Sequence, residues 1–319
     1  MDNFQVELGR QAQQAIRVMP TTHLRFAGLQ RRSIAAYKLA LERFLIFAHH
    51  SEFDVVDATD LDYTLAEYFN CMHQEGEPVS SAGHTLSGIK RFIPELRIQL
   101  PTASQYFRNW QRSHRPLRAV PISWELLQAM AAICWDQGSK ETALLLYVGF
   151  NCFLRTSEML ALQFCHLLPH HTKAEVAVVI PFSKTSNGNA QVLLIKDDYI
   201  WRLACALKRR RSHTAPLWAG TPPMFRSTWA KLLQCLDFRP DDYTPYGIRR
   251  GGATWFFLET ASLDATLARG RWATTKTARA YIDDGTLTLA QQQWSVEQRR
   301  NIKLWLRKNR AQWHALDPP

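Results

Sequence analysis

The sequence predicts a mainly α-helical protein with one small β-hairpin or sheet. Apolar residues recur every three or four positions through residues 25–113, which is the spacing of one face of a helix. Further helical patterns follow a basic, proline-containing segment at residues 115–121. Two runs, residues 175–181 and 190–195, are instead rich in β-branched residues, and an Asn-Gly turn signal lies between them. With 319 residues, the chain is long enough for two domains at about 100–200 residues each, and the second contains the hairpin.

The first predicted domain covers residues 23–114 and follows an N-terminal arm, residues 1–22, that lacks clear periodicity. Four amphipathic patterns follow one another, and glycine or proline separates the last three, so we predict a four-helix domain. Its predicted helices span residues 25–50, 61–73, 80–92 and 102–113. Basic residues on these helices are available to phosphate groups: Arg31, Arg32, Lys90 and Arg91. A helical bundle without any ligand has the same pattern, so the periodicity alone leaves both functions open.

The best candidate for a linker is residues 115–121, which contain two prolines together with Arg115 and Arg118. Such a segment does not continue a helix, and an extended basic segment suits a crossing of a phosphate backbone. The second domain is then residues 122–319, and it closes with polar helical patterns over residues 287–313.

A nearly continuous apolar run in this second domain, residues 142–154, predicts a central buried helix that ends next to a charged residue, Arg155. Burying an unpaired arginine costs several kcal/mol, so a partner is required. Glu158, three residues further on, is the obvious internal partner. The alternative is that Arg155 reaches a phosphate while Glu158 orients it.

The stretch from Thr244 to Tyr281 contains the strongest cluster of candidate functional residues. Pro245 is a typical helix-start residue, and on a helix from there Tyr246 and Arg249 share one face. We expect residues 255–258 to bury the far end of that helix, and a short helix at 275–282 to present Tyr281. A guanidinium, the Trp272 indole and a phenol brought together would make a site for an oxyanion and a nucleophile.

Composition narrows the possible partners. The net charge of +11 is concentrated in residues 116–319, which contain 26 Lys and Arg against 16 Asp and Glu. Such a surplus fits nucleic acid, an anionic membrane, an acidic partner or a merely solvated basic surface. The six cysteines contain no C-x-x-C pair, which argues against a zinc module or a disulfide framework. We expect a soluble, intracellular protein, because neither a leader pattern nor a membrane-length apolar run is present.

Four motifs occur in a fixed order along the second domain. Leu154-Arg155-Thr156-Ser157-Glu158 comes first, Lys184 lies in the predicted hairpin, Tyr246-Gly-Ile-Arg249 follows, and Trp272 precedes Tyr281 by nine positions. The sequence here resembles the tyrosine recombinases, or phage-integrase family. Three further motifs are most similar to those of recombinases of eukaryotic mobile elements, the DIRS-like and Crypton-like groups: Arg-Arg-Gly-Gly-Ala-Thr, Gly-Arg-Trp and Thr-Ala-Arg-Ala-Tyr. Tyr246 occupies a position at which the family usually has histidine.

The resemblance implies a helical core-binding domain followed by a tyrosine-recombinase catalytic domain with a helical tail. It implies that Tyr281 attacks a DNA phosphate to give a 3′-phosphotyrosyl bond. Arg155 and Arg249 would stabilise the charge on phosphorus, Lys184 would protonate the leaving oxygen, and Trp272 would hold the phosphate or the nucleophile. Neither a metal nor another cofactor is implied. Arg250 and Arg271, beside these motifs, are expected to contact DNA.

The implied partners are double-stranded DNA and further copies of this chain, as a homotetramer on two duplexes. The tail could pack on its own domain or on a neighbouring protomer. The expected location is the nucleus in a eukaryote, and otherwise the cytoplasm with the nucleoid. Two alternatives are a type IB-like topoisomerase and a catalytically weak or inactive DNA-binding protein derived from a recombinase. Tyr246 keeps the second alternative open, since a phenol with a free pKa of about 10 relays protons poorly at neutral pH. We expect cleavage to persist, because both arginines, Lys184, Trp272 and Tyr281 are in place.

Overall fold

The computed structural model describes residues 29–114, 118–181 and 190–316, and the chain divides into two compact units, Met1–Leu117 and Arg118–Pro319. The division falls within the predicted linker. The predicted arm at residues 1–22, Arg115 and Lys184 lie outside the described residues. The assignment of one unit to DNA binding and the other to catalysis stays a prediction.

Among its described residues, 29–114, the N-terminal unit is a bundle of four α-helices with one 3₁₀ turn, Pro94–Arg97, before the last helix. Its core is formed by apolar side chains from all four helices, among them the fully buried Phe44, Leu61 and Leu65. A buried carboxylate also joins two helices, because Asp62 accepts hydrogen bonds from the backbone N–H groups of residues 102 and 103, both at 2.8 Å. These donors are the first turn of a helix and have no intrahelical partner, so Asp62 satisfies them. The helices are α1 Arg31–His50, α2 Ala58–Gln74, α3 Val79–Phe92 and α4 Pro101–Ser113.

The C-terminal unit contains ten α-helices and one small sheet among its described residues. The sheet is antiparallel with the strand order β1-β2-β3, and Ala177 pairs with Leu194 in its centre. The predicted hairpin is confirmed as β2 and β3, whereas β1 was not predicted. In chain order the elements are α5 Trp124–Asp136, α6 Lys140–Asn151, α7 Thr156–Leu160, β1 Leu167–Pro169, β2 Glu175–Ile180, β3 Gln191–Lys196, α8 Asp198–Lys208, α9 Pro222–Gln234, α10 Gly247–Thr260, α11 Leu263–Gly270, α12 Thr275–Arg279, α13 Asp284–Gln292 and α14 Val296–His314.

Helix α6 is the centre of this unit, and its side chains from Thr142 to Asn151 are all buried, as the apolar run predicted. Helix α10 approaches α6 closely at Gly252 and approaches the segment before α5 closely at Gly251. A Cβ on Gly252 would overlap the carbonyl oxygen of Phe150, and a Cβ on Gly251 would overlap that of Ile122. This close approach places the first turn of α10 beside the chain that leaves α6.

Two details of the 244–281 stretch differ from the sequence-based expectation. Helix α10 begins at Gly247 rather than at Pro245, and α12 ends at Arg279, so Tyr281 lies in the turn after that helix. The far end of α10 is also less buried than expected, since Leu258 is exposed and its three preceding aromatic neighbours are only half-buried. An exposed helix end leaves that surface to solvent or to a partner.

The last helix, α14, packs on α5 within the same chain. The Asn309 side-chain amide donates to the Tyr147 hydroxyl at 2.9 Å, and that of Gln312 donates to the Ala132 carbonyl at 3.1 Å. Of the two packings left open for the tail, this structure has the intramolecular one. Within the described ranges, no helix combines the length and the apolar character needed to cross a bilayer.

Candidate active site

The first part of the site is built where α6 ends and α7 begins. Phe153 has a left-handed backbone with φ of 46°, which turns the chain sharply after α6. Glu158, in the first turn of α7, accepts hydrogen bonds from the Arg155 backbone N–H at 2.9 Å and from Arg155 Nη1 at 2.7 Å. The same carboxylate thus satisfies a free donor at the helix start and neutralises the Arg155 side chain.

Glu158 also contacts two arginines that are distant in the sequence. Arg271 Nη2 lies 2.9 Å from Glu158 Oε2, and Arg249 Nη1 lies 3.9 Å from the same oxygen. Burial by itself would raise the pKa of Glu158, but the charge of Arg271 and the hydrogen bonds from Arg155 and Arg271 outweigh it, and the pKa is lowered. Glu158 is therefore an ionised carboxylate that holds three guanidinium groups.

Arg249 is almost completely buried, with 1% of its surface exposed. It donates to the carbonyl oxygens of Phe153 and, at 3.1 Å, Gly270. Burial chiefly, and then the charge of Arg155, lowers the pKa of Arg249 to about 10. The guanidinium is therefore still charged at neutral pH, although it sits in a place that disfavours charge.

The cluster has more positive charge than its own residues neutralise. Three arginines, Arg155, Arg249 and Arg271, share one carboxylate, which leaves a surplus of two positive charges. Among the described residues, Arg249 Nε, Arg271 Nε and Nη1 and Trp272 Nε1 are buried without a hydrogen-bond acceptor. Buried donors and buried charge of this kind are costly unless something pairs with them. The arrangement fits an anion with several acceptor oxygens.

Tyr281 lies against this cluster. Its ring stacks on Trp272, with the ring centroids 4.6 Å apart, and the Arg249 guanidinium carbon is 5.1 Å from the centroid of each ring. The hydroxyl of Thr254, on α10, donates to the Tyr281 carbonyl at 3.3 Å and accepts from the Asp283 N–H at 3.0 Å. The turn that carries Tyr281 is therefore tied to the helix that carries Arg249.

Tyr246 meets Tyr281 directly, because the two hydroxyl oxygens are 2.6 Å apart. Tyr246 remains 40% exposed. Burial of the rest of its side chain and then the hydrogen bond to Tyr281 raise the pKa of Tyr246 to about 12. At neutral pH it is a protonated phenol, able to donate a hydrogen bond to the Tyr281 oxygen.

The predicted site residues thus fall into distinct groups. Arg155, Glu158, Arg249, Trp272 and Tyr281 lie together with Tyr246, whereas Lys184 is outside the described part of the chain.

The residues predicted to bind DNA are more dispersed. The side chains of Arg250 and Arg271 are buried: Arg250 is 3% exposed and pairs with Asp283 at 2.6 Å, and Arg271 pairs with Glu158. Lys90 is partly buried and donates to Ser104 Oγ at 3.0 Å. Arg91 is partly buried, and three are exposed: Arg31, Arg32 and Arg118. Arg115 lies outside the described residues.

Sequence reasoning missed two features of the site. One is the place of Arg271 in the cluster, which depends on its left-handed backbone, with φ of 58°, at the end of α11. The other is the pair of hydroxyls. The motif Gly-Arg-Trp gave partial evidence for the place of Arg271, because it marks a tightly packed turn: a Cβ on Gly270 would overlap the Trp272 ring.

Comparison with solved structures places the whole chain in one fold class. A XerH site-specific recombinase bound to palindromic difH substrate, in a post-cleavage complex, matches 88% of this chain and 92% of its own, with a TM-score of 0.56 and 10% identity. The same recombinase in a pre-cleavage complex with difH matches 92% and 90%, with a TM-score of 0.53 and 14% identity. The fold is therefore that of site-specific recombinases.

A second solved protein has a similar fold. The Tn1549 transposon integrase in complex with circular intermediate DNA matches 90% of this chain and 99% of its own, with a TM-score of 0.57 and 13% identity. Neither a protein-family model nor a curated protein matches the chain. The chain has the tyrosine-recombinase fold, as the sequence motifs predicted, and the mainly helical class with a small sheet is confirmed.

Proposed function

We propose that this protein is a site-specific DNA recombinase or integrase that cuts and rejoins DNA through a 3′-phosphotyrosyl intermediate. One observation carries the proposal: Arg155, Arg249, Trp272 and Tyr281, which lie up to 126 positions apart, meet in one cluster with surplus positive charge. The fold shared with solved recombinases supports the same reaction.

In the proposed reaction, the Tyr281 hydroxyl gives its proton to solvent water, and Tyr281 Oη attacks the phosphorus of a DNA phosphodiester. The Tyr281 O–P bond forms, the bond from phosphorus to the 5′ oxygen breaks, and the 5′ oxygen leaves as a hydroxyl. The phosphotyrosyl bond keeps the energy of the broken diester, so a 5′ hydroxyl can reverse the reaction without ATP. Lys184 is the proposed donor of the proton to the leaving oxygen.

The arginines supply the electrostatic part of this proposal. Charge on the non-bridging oxygens grows as the phosphorus becomes five-coordinate, and guanidinium groups stabilise it with paired hydrogen bonds. Glu158 holds Arg155, Arg249 and Arg271 before any substrate arrives, so little reorganisation is needed during the reaction. The indole N–H of Trp272, which is buried without an acceptor, is available as a further donor.

Tyr246 takes the role of a hydrogen-bond donor to the nucleophile in this proposal. The deprotonated Tyr281 oxygen needs stabilisation as it forms, and the hydroxyl 2.6 Å away can provide it. Because its pKa is about 12, Tyr246 keeps its proton and does not serve as the base. Cleavage is therefore expected to persist without the histidine that the family usually has at this position.

Strand exchange would need two duplexes, and the proposed assembly is a homotetramer on double-stranded DNA. The proposed biological setting is the movement of a mobile element, in the nucleus if the host is a eukaryote and on the nucleoid otherwise.

The test is the capture of a covalent adduct. A pool of nicked duplexes of random sequence would be incubated with the purified chain, and SDS-resistant complexes would be collected, sequenced and mapped by mass spectrometry. We expect adducts at one DNA sequence, attached to Tyr281 and lost in Tyr281→Phe. Tyr106→Phe is the matched control, because Tyr106 is exposed on the other unit.

The other outcomes separate the alternatives. Adducts at any sequence, with relaxation of supercoiled plasmid, would indicate a type IB-like topoisomerase. DNA binding without an adduct in any variant would indicate a non-catalytic DNA-binding protein. An adduct on a residue other than Tyr281 would refute the assignment of the nucleophile.

A further inference from the structure

The outward face of α14 is basic along most of its length. Successive residues of an α-helix are 100° apart, so positions separated by alternating steps of three and four lie in one stripe. Ile302 and Asn309 mark the buried side of this helix. The opposite stripe contains Arg300, Lys303, Arg307 and Arg310, with His314 at its end, and all five residues are exposed. We refer to the four lysine and arginine residues as the cationic ridge.

Other basic residues of the same region are already used within the protein. Arg299 donates to the carbonyl oxygens of residues 291, 292 and 294 at 2.9, 2.8 and 3.1 Å, which fixes the end of α13. Lys308 pairs with Asp136 at 3.4 Å and lies 4.1 Å from the centroid of the Trp305 ring. These two side chains have a structural role, so they are not part of the ridge.

The ridge residues lack such partners. In the described parts of the chain, Lys303, Arg307 and Arg310 make neither an ion pair nor a hydrogen bond through their side chains. Arg300 is 80% exposed and has only a long contact, 3.8 Å, to Glu297. Exposed pairs of this kind contribute little, so the charge of all four side chains is available to a partner.

The length of the ridge and the spacing of its charges indicate which kind of partner it fits. The ten-residue step from Arg300 to Arg310 rises about 15 Å along the helix. A second copy of this chain is a poor occupant, because alternating steps of three and four are the contact positions of a helix pair and would bring like charges together. Duplex DNA is a good one, since it carries about one negative charge per 1.7 Å of its axis.

We propose that the cationic ridge binds the phosphate backbone of duplex DNA. The proposal rests on the proposed function only for the choice of DNA as the polyanion. Within the described residues, no hydrogen bond or ion pair connects the ridge to the cluster around Glu158. The proposed role of the ridge is therefore to contribute to affinity for DNA rather than to bond breaking.

The test compares two double variants that remove the same charge. Lys303→Gln/Arg307→Gln neutralises the centre of the ridge. Arg209→Gln/Arg210→Gln is the control, because these residues are exposed just after α8. Binding of each full-length protein to a duplex of about 60 bp, several times the length of the ridge, would be measured over a range of salt concentrations, with thermal unfolding as a check of folding.

We expect the slope of log K against log salt to fall by about two in the ridge variant, at about 0.9 per lost phosphate contact, and to stay unchanged in the control. An equal fall in both variants, or in neither, overturns the proposal. Loss of binding to phosphatidylserine vesicles with unchanged DNA binding also overturns it, in favour of a membrane surface. Covalent capture is read separately, so the absence of adducts would refute the proposed reaction without affecting this comparison.

Discussion

Replacing Tyr246 with phenylalanine removes one oxygen from the candidate site and leaves the ring. That oxygen lies 2.6 Å from the Tyr281 hydroxyl. The phenyl ring of the variant would still fill the space beside Tyr281, whose own position is fixed by Trp272 and Thr254. The substitution therefore tests the hydrogen bond with little change in packing.

The magnitude follows from the charge that develops on the Tyr281 oxygen. A hydrogen bond to a charged group contributes about 1.5–3 kcal/mol, and about 1.4 kcal/mol corresponds to a tenfold change in rate. We expect covalent capture to slow by about 10- to 150-fold in Tyr246→Phe. Stability should fall by only about 1 kcal/mol or less, as for one neutral hydrogen bond.

The assay is the initial rate of adduct formation on a nicked duplex at neutral pH, with Tyr281→Phe as the background. An unchanged rate in Tyr246→Phe would show that the hydroxyl pair has no part in the reaction. Tyr246→His is the companion variant. If the unmodified chain never forms an adduct while Tyr246→His does, the expectation that the tyrosine site is active is wrong.

Three further outcomes follow from contacts in the C-terminal unit. Arg250→Met should lower the free energy of unfolding by about 2 kcal/mol, because Asp283 keeps a charge without its partner. The salt dependence of DNA binding should not change in this variant. Urea unfolding of Arg250→Met and of Arg250→Met/Asp283→Asn measures the contribution of the pair. Glu158→Gln should cost about 3–5 kcal/mol at pH 7. The pKa of Glu158 is lowered by folding, so its contribution is complete above about pH 4.3, the unfolded value, and is lost as pH falls through the folded pKa; unfolding at about pH 7 and about pH 3 should show this loss in the unmodified chain but not in the variant. Gly251→Ala should destabilise by about 1–3 kcal/mol or more because its Cβ would overlap a backbone carbonyl, whereas Gly285→Ala, which meets no atom, should not; thermal unfolding compares them.

Much of the fold was predictable because burial leaves a regular pattern in a helical chain. The four helices of the N-terminal unit and the buried α6 followed from apolar spacing alone. Strand β1 was missed because Leu167–Pro169 is only three residues long and ends in proline. Its pairing with β2 comes from tertiary contacts, which a local pattern does not contain.

The candidate site was predictable where residues act through fixed spacing. Glu158 lies three positions after Arg155, so their pairing could be expected from one helix turn. The contact of Glu158 with Arg271 spans 113 positions and requires a left-handed arginine, a conformation that non-glycine residues seldom adopt. The burial of Arg250 was likewise hidden, because a pair of adjacent arginines in a basic chain has the same appearance on a surface and in a core.

The hydrogen bond between Thr254 and the Tyr281 carbonyl bears on which copy of the chain supplies each residue of the site. It anchors the attacking residue to the helix that carries Arg249, within one polypeptide. In the proposed reaction, each copy therefore supplies both Tyr281 and Arg249 to its own site. A mixture of Tyr281→Phe copies with Arg249→Gln copies should show no complementation, in contrast to an enzyme whose nucleophile comes from a neighbouring subunit.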